Sequence, residues 1–302
     1  MGRVYSSKIV KESHPVGVLE ISDLIKGDER LATLPEVFYR LREVVDDPDC
    51  DFAQIGEIIS MDPGLTVRLL RVVNSAFYGF SSEVETVTHA LSIVGTEQLM
   101  QLVLATSVLS QFKGIRKDLI NQEVFWKHSI SCGLAARALA ALTGEYQVER
   151  FFVAGLLHDI GRLVMCLRAP KEFSRALEFS QSSGDRWYRS EIKIFGFDHS
   201  EVGDALLKSW NLPERLRESV KFHHRPHAAT AFPRETAVVH IADGIAHLLA
   251  KNMGVRLYAE NIKIDADSWK VIELSEKLYL PLVLDKVKNQ FDEVTRVFLQ
   301  YA

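Results

Sequence analysis

No stretch of this chain approaches the ~20 consecutive apolar residues of a membrane-spanning helix, and the polar opening from Met1 to Glu20 lacks the apolar centre of a secretory signal. Cysteine is scarce. Only Cys50, Cys132 and Cys166 occur, odd in number and unclustered, which argues against a disulfide scaffold or a thiolate metal site and fits reduced thiols. No charge of one sign dominates: the formal net charge is -4 with Lys and Arg scattered, so there is no basic footprint for nucleic acid. The segment Pro63 to Asn74 resembles a helix-turn-helix superficially, yet Arg68 and Arg71 are its only basic residues. Strand-like alternation is missing before about Val255, as are internal repeats and low-complexity tracts. The expectation is a soluble, cytoplasmic, all-α protein that engages neither membrane nor nucleic acid.

What is present is helical punctuation, in a chain whose 47% hydrophobic content suffices for one large core or two domains. Met1 to about Lys26 reads as a loose arm or a short leading helix. Thr33-Leu-Pro-Glu36 predicts a capping box with Pro in the first turn of a helix burying Val37, Phe38, Leu41, Val44 and Val45. Asp51 caps a second helix, and Asp62-Pro-Gly opens a third that stops near Asn74-Ser75. A short helix to Val94, a Gly95 stop and a longer helix from Thr96 follow. Gln111 to Asn121 is the best internal boundary. A long helix then spans Gln122 to Leu142, and Pro170, Gly184, Gly196, Pro213, Pro226 and Pro233 mark off further helices. Val255 to Ile264 could be extended; Asp267 to Leu278 and Pro281 to about Gln300 read as the last two helices.

The stretch Phe151 to Val164 predicts a buried helix, apolar except for His158, Asp159 and Arg162. A carboxylate buried without partners costs several kcal/mol, so a cation or salt bridge is expected beside Asp159. Other histidines fall at informative places. His128 lies inside a helix, His199 opens one, His223 and His224 end one, and Asp243 interrupts another apolar helix. Taken singly, each could be a surface or satisfied core residue, and His14, His89 and His227 are read that way. His240, three residues before Asp243, is either its partner or plainly hydrogen-bonded. Together, imidazoles and carboxylates without thiolate suit iron, manganese or zinc, and seven such groups exceed the four of one zinc site.

This order of His, His-Asp, His, His-His and Asp on separate helices resembles the HD superfamily of metal-dependent phosphohydrolases. More specifically, the chain resembles the HDOD family, HD-related output domains of bacterial signalling proteins. That resemblance spans about Leu31 to Leu249 and rests on Thr33-Leu-Pro-Glu36, Ile58-Ile-Ser-Met-Asp-Pro-Gly-Leu65, Ala90-Leu-Ser-Ile-Val-Gly95, Phe125-Trp-Lys-His128, Gly155-Leu-Leu-His-Asp-Ile-Gly161, His199-Ser-Glu-Val-Gly203, Trp210-Asn-Leu-Pro213 and His223-His-Arg-Pro226. It implies a helical N-terminal half packed on an HD-type helical core. The division expected is an arm at 1–26, an N-terminal subdomain at 27–115, a metal-binding core at 116–250 and a helical extension at 251–302.

The resemblance also implies roles. His128, His158, Asp159 and Asp243 would hold one divalent cation, and Asp159 would bridge to a second completed by His199, His223 and His224. Iron or manganese is expected first, with zinc, nickel or magnesium as alternatives. Asp159 and Arg162 are the candidate catalytic residues: Asp159 orients the bridge, and Arg162 either neutralises phosphate charge or serves a salt bridge. The expected activity is phosphodiesterase-like hydrolysis of a nucleotide or other phosphate-containing ligand; the alternative is a non-catalytic regulatory module that binds a signalling protein. The chain departs from the cyclic-dinucleotide branch. Arg225-Pro-His-Ala-Ala229 stands where that branch has Gly-Tyr-Pro, and Arg162 stands where it has Lys, so that branch's substrate does not carry over.

Overall fold

In a computed structural model of the chain, which describes residues 19–26, 33–112, 114–252 and 263–300, every regular element is helical and no strand occurs among the described residues. A short α1 (Ile21–Ile25) precedes α2 (Glu36–Val45), α3 (Phe52–Ser60), α4 (Pro63–Val73), α5 (Val87–Val94) and α6 (Thr96–Gln111). Their caps are largely local. Asp51 and Gln54 close a reciprocal capping box on α3, and the Asp62 carboxylate accepts from the Leu65 amide at 2.9 Å at the start of α4. The capping box expected at Thr33 does not form. Pro35 is the N-cap of α2 and no side chain caps it, because the ring of Pro35 disfavours helical backbone at Leu34 and delays the start to Glu36.

The second half comprises α7 (Gln122–Leu142), α8 (Val148–Leu157), α9 (Ile160–Arg168), α10 (Pro170–Ser183), α11 (Trp187–Phe195), α12 (His199–Ser209), α13 (Glu214–Phe222), a 3-10 turn at Pro226–Ala228, α14 (Pro233–Asn252), α15 (Ala266–Val271) and α16 (Glu276–Leu299). The central element is α7, on which α8, α14 and α16 all pack. One contiguous apolar core runs from Leu24 on α1 to Phe298 on α16. The short α1 packs on α12 and α9, and Arg168 anchors its end by donating to the Lys26 carbonyl at 2.9 Å.

Three expectations need correction or placement. The buried helix over 151–164 is two helices, interrupted at His158 and Asp159. The Gly155 carbonyl, which the Asp159 amide would take in an unbroken helix, accepts instead from Nδ1 of His158 at 2.7 Å. The helix expected over 267–278 stops at Val271, where Glu273 adopts φ 59° and the Leu274 amide closes onto the Trp269 carbonyl at 3.1 Å. Consequently α16 begins at Glu276 and contains Pro281, tolerated on an exposed stretch where water reaches the unpaired Lys277 carbonyl. Residues 1–18 of the expected arm and 253–262 of the extended piece lie outside the described residues.

Two helix crossings are possible only because glycine sits at them. A Cβ on Gly155 would lie 2.8 Å from the Cys132 carbonyl, so α8 meets α7 backbone to backbone. A Cβ on Gly161 would lie 2.0 Å from the His199 carbonyl oxygen, so α9 meets the first turn of α12 equally closely. Both crossings flank His158 and Asp159 and draw the surrounding elements toward them.

Candidate metal centre

The break between α8 and α9 sets His158 and Asp159 at the focus of five elements. His128 comes from α7, His199 from the first turn of α12, His223 and His224 from the end of α13, and Asp243 from α14. All seven come together, and all but the partly covered His224 are buried. Ligand-type atoms of Asp159, His199, His223 and His224 lie within 4.8 Å of one another, as do those of His128, His158 and Asp159, and those of His158, His223 and Asp243.

Distances show how Asp159 joins two halves. Its Oδ1 is 2.9 Å from Nε2 of His199 and 3.8 Å from Nε2 of His223. Its Oδ2 is 3.4 Å from Nε2 of His158 and 3.9 Å from Nε2 of His128. Asp243 Oδ1 stands 3.1 Å from Nε2 of His128 and 3.4 Å from Nε2 of His158. In the other half, His224 and His199 bring their Nε2 atoms to 3.0 Å, and the His224 ring stacks on Tyr188 at 4.5 Å between centroids.

Hydrogen bonds on the outer ring nitrogens fix which lone pairs face inward. Nδ1–H of His158 donates to the Gly155 carbonyl at 2.7 Å, that of His223 to the Val220 carbonyl at 2.7 Å, and that of His199 to the Glu191 carboxylate at 2.5 Å. Each ring therefore points its Nε2 to the cluster interior, the orientation a metal-binding imidazole requires. Nε2 of His223 is buried without a hydrogen-bond partner, and Asp159 Oδ1 and Asp243 Oδ1 lack a well-directed one. Three buried carboxylates, Asp159, Glu191 and Asp243, face one buried guanidinium, Arg162. Carboxylates set this deep need positive charge beside them, which protons on His158 and His199 or bound cations would supply. Inward-pointing ring nitrogens and orphaned acceptors together fit divalent cations.

Electrostatics divide the rings: burial opposes charge on His158, but the Asp159 carboxylate outweighs it and raises that ring well above its usual value. Burial, reinforced by His158 and His199, pushes His223 down to about 3, and burial with His223 beside it holds His224 well below its usual value, so both rings are neutral at neutral pH. Burial also opposes charge on His199, but the Glu191 carboxylate outweighs it and raises that ring to about 9. Asp159 is likewise desolvated, yet Arg162 first and then His158 and His199 hold it well below the ordinary carboxylate range.

Arg162 reaches Asp159 Oδ2 at 3.0 Å and lies over the Trp187 ring at 5.4 Å, fully enclosed. It grips the carboxylate rather than an open surface. His240 bonds backbone only: its Nδ1–H donates to the His223 carbonyl at 2.7 Å and its Nε2 accepts from the Asp265 amide at 3.0 Å. Two members escape the sequence reading. His247 places Nε2 3.4 Å from Asp243 Oδ1, and the spacing of four residues on one helix was the available signal. Glu191 sits in a helix that reads as amphipathic, and nothing in its local sequence marks it.

A family model described as HDOD domain matches residues 31–226. An uncharacterised protein of Treponema pallidum (strain Nichols) is 28% identical over 200 residues, covering 65% of this chain but 38% of that protein, so the chain spans well under half of that relative. An HDOD domain protein of unknown function from Geobacter sulfurreducens superposes with TM-score 0.70 at 22% identity, covering 89% of this chain and 92% of that one. A conjectured phosphohydrolase from Shewanella amazonensis SB2B superposes with TM-score 0.72 at 23% identity, covering 93% and 98%. At these identities the structural likeness speaks for the fold.

Proposed function

The chain belongs to the HDOD family, and from that premise we propose that it is a signalling domain whose buried centre holds divalent metal and supports phosphohydrolase chemistry on a nucleotide-type phosphoester. The observation that carries the reading is the convergence of inward-facing imidazole nitrogens and carboxylate oxygens from four helices and the break between α8 and α9, several of them without a hydrogen-bond partner. His128, His158, Asp159 and Asp243 would hold one cation, and Asp159, His199, His223 and His224 a second; iron or manganese suits this nitrogen and oxygen set. Bound cations would supply Lewis acidity toward a phosphoryl oxygen.

The chain's own groups prepare that site. Glu191 fixes the His199 ring through Nδ1, Val220 and Gly155 fix His223 and His158 through their carbonyls, and Arg162 keeps Asp159 ionised with one oxygen toward each half. Enclosure excludes bulk water and strengthens every charge interaction within. One observation favours a second reading, a regulatory module that binds metal without turnover: Arg162 is spent on Asp159 instead of standing free for a phosphate.

The test is metal analysis of the purified protein, followed by hydrolysis assays with Mn²⁺ or Fe²⁺ on cyclic dinucleotides, cyclic mononucleotides, nucleotides and a generic phosphodiester. Turnover abolished by Asp159→Ala is the expected result. Bound metal with no hydrolysis selects the regulatory module, and protein that binds no divalent metal overturns both readings.

A further inference from the structure

A cavity of about 1100 Å³ opens between the first half of α7, the end of α14 and α16. It reaches the buried centre through one shared residue, His128, whose Nε2 faces Asp243 while its Nδ1 has no hydrogen-bond partner. The cavity exceeds the several hundred Å³ of ordinary small-molecule sites and has room for a nucleotide. Two of its walls, α14 and α16, lie beyond the residues 31–226 that the family model matches.

Its lining is apolar, basic and, at Glu123 and Asp292, acidic. Trp126, Leu249, Phe291 and Leu299 supply apolar and aromatic surface. Lys288 and Arg296, on one face of α16, supply positive charge with no ion-pair partner among the described residues, while Lys127 at the opposite wall is paired with Glu123 at 2.6 Å. Besides His128 Nδ1, three lining side chains at least nine-tenths buried carry polar atoms with no partner: Trp126 Nε1, Ser131 Oγ and Thr295 Oγ1. Buried donors left unmade are costly, and four around one cavity point to something that completes them.

We infer that this chamber binds a nucleoside phosphate, its ring system against Phe291 and its phosphate drawn to Lys288 and Arg296, with a hydroxyl or ring acceptor meeting Thr295 and Ser131. The inference rests on the proposed phosphoester reading for its substrate class and goes beyond it in assigning the site. Aromatic faces accept a base of any identity, and guanidinium and ammonium groups recognise phosphate by charge.

Isothermal titration of the full chain with adenosine and guanosine 5′-monophosphates and cyclic di-guanosine monophosphate tests it, with adenosine and inorganic phosphate as separate arms. At least one nucleotide binds, and Lys288→Ala, Arg296→Ala and Thr295→Val each weaken it, by about tenfold for the two charges. Both cationic positions are exposed, so these variants fold, and metal content measured alongside stays at the wild-type level. Nucleotide binding unchanged in all three variants, or none of the nucleotides binding to metal-replete protein, overturns the assignment. Loss of metal from the wild-type protein is a failure of the phosphoester reading and is read separately.

Discussion

Gly161→Ala probes the crossing that brings α9 and α12 together. The added methyl would stand 2.0 Å from the His199 carbonyl oxygen and 2.8 Å from the Gly203 amide nitrogen. Carbon and oxygen tolerate an approach of ~3.3 Å, so the backbone of His199 must retreat by about 1.3 Å. Both obstructing atoms are main chain, which leaves no flexible side chain to absorb the shift. Overpacking of this kind costs ~3 kcal/mol at the upper end of its range, against which alanine in place of glycine inside a helix returns ~1 kcal/mol. The net loss is about 2 kcal/mol, a melting temperature lower by roughly 3 °C for a chain of this size. The same movement carries the His199 ring away from Asp159, several times further than the ~0.2 Å by which ligand distances may vary. Differential scanning calorimetry and metal analysis of the purified variant therefore both register the change, and on the proposed reading the cation that His199, His223 and His224 would hold is lost first. A variant that melts at or above the wild-type temperature with undiminished metal content refutes the reasoning.

Glu191→Ala removes the acceptor that orients His199 and should weaken metal affinity ~10–100-fold, whereas Glu191→Gln keeps an acceptor oxygen and recovers much of it; competition with a chromogenic chelator separates the two. Phe298→Ala deletes a buried ring that meets Phe152 at 5.4 Å and Phe77 at 6.4 Å between centroids, and should cost ~3–5 kcal/mol in urea unfolding. A cost near zero would mean that α16 is not part of the cooperative core.

Much of the helical punctuation was legible because it is enforced locally. Asp51, Asp62, Gly95 and Asn121 act on neighbours within a few residues, and the helices start or stop where those side chains dictate. The seven candidate ligands were legible as a set for a different reason: a polar group inside an apolar run is conspicuous wherever its partner lies. Tertiary choices were not legible. The break at His158 depends on its ring capturing the Gly155 carbonyl, and Pro281 falls inside α16 because the chain reverses earlier, at Glu273. Glu191 was invisible because its helix carries ordinary exposed residues elsewhere, and only the fold reveals that this one carboxylate points inward.

The distribution of the cluster along the chain also constrains how the molecule matures. His128 on α7 and Asp243 on α14 are separated in sequence by six helices, and the intervening ones carry the remaining members. A nascent chain still lacking α14 has only Asp159, His199, His223 and His224 of the second group complete, so on the proposed reading the cation that Asp243 would help to hold has no seat until α14 has docked. Filling of that position would therefore be a late event, one that reports a finished core and cannot serve as the seed around which early helices gather.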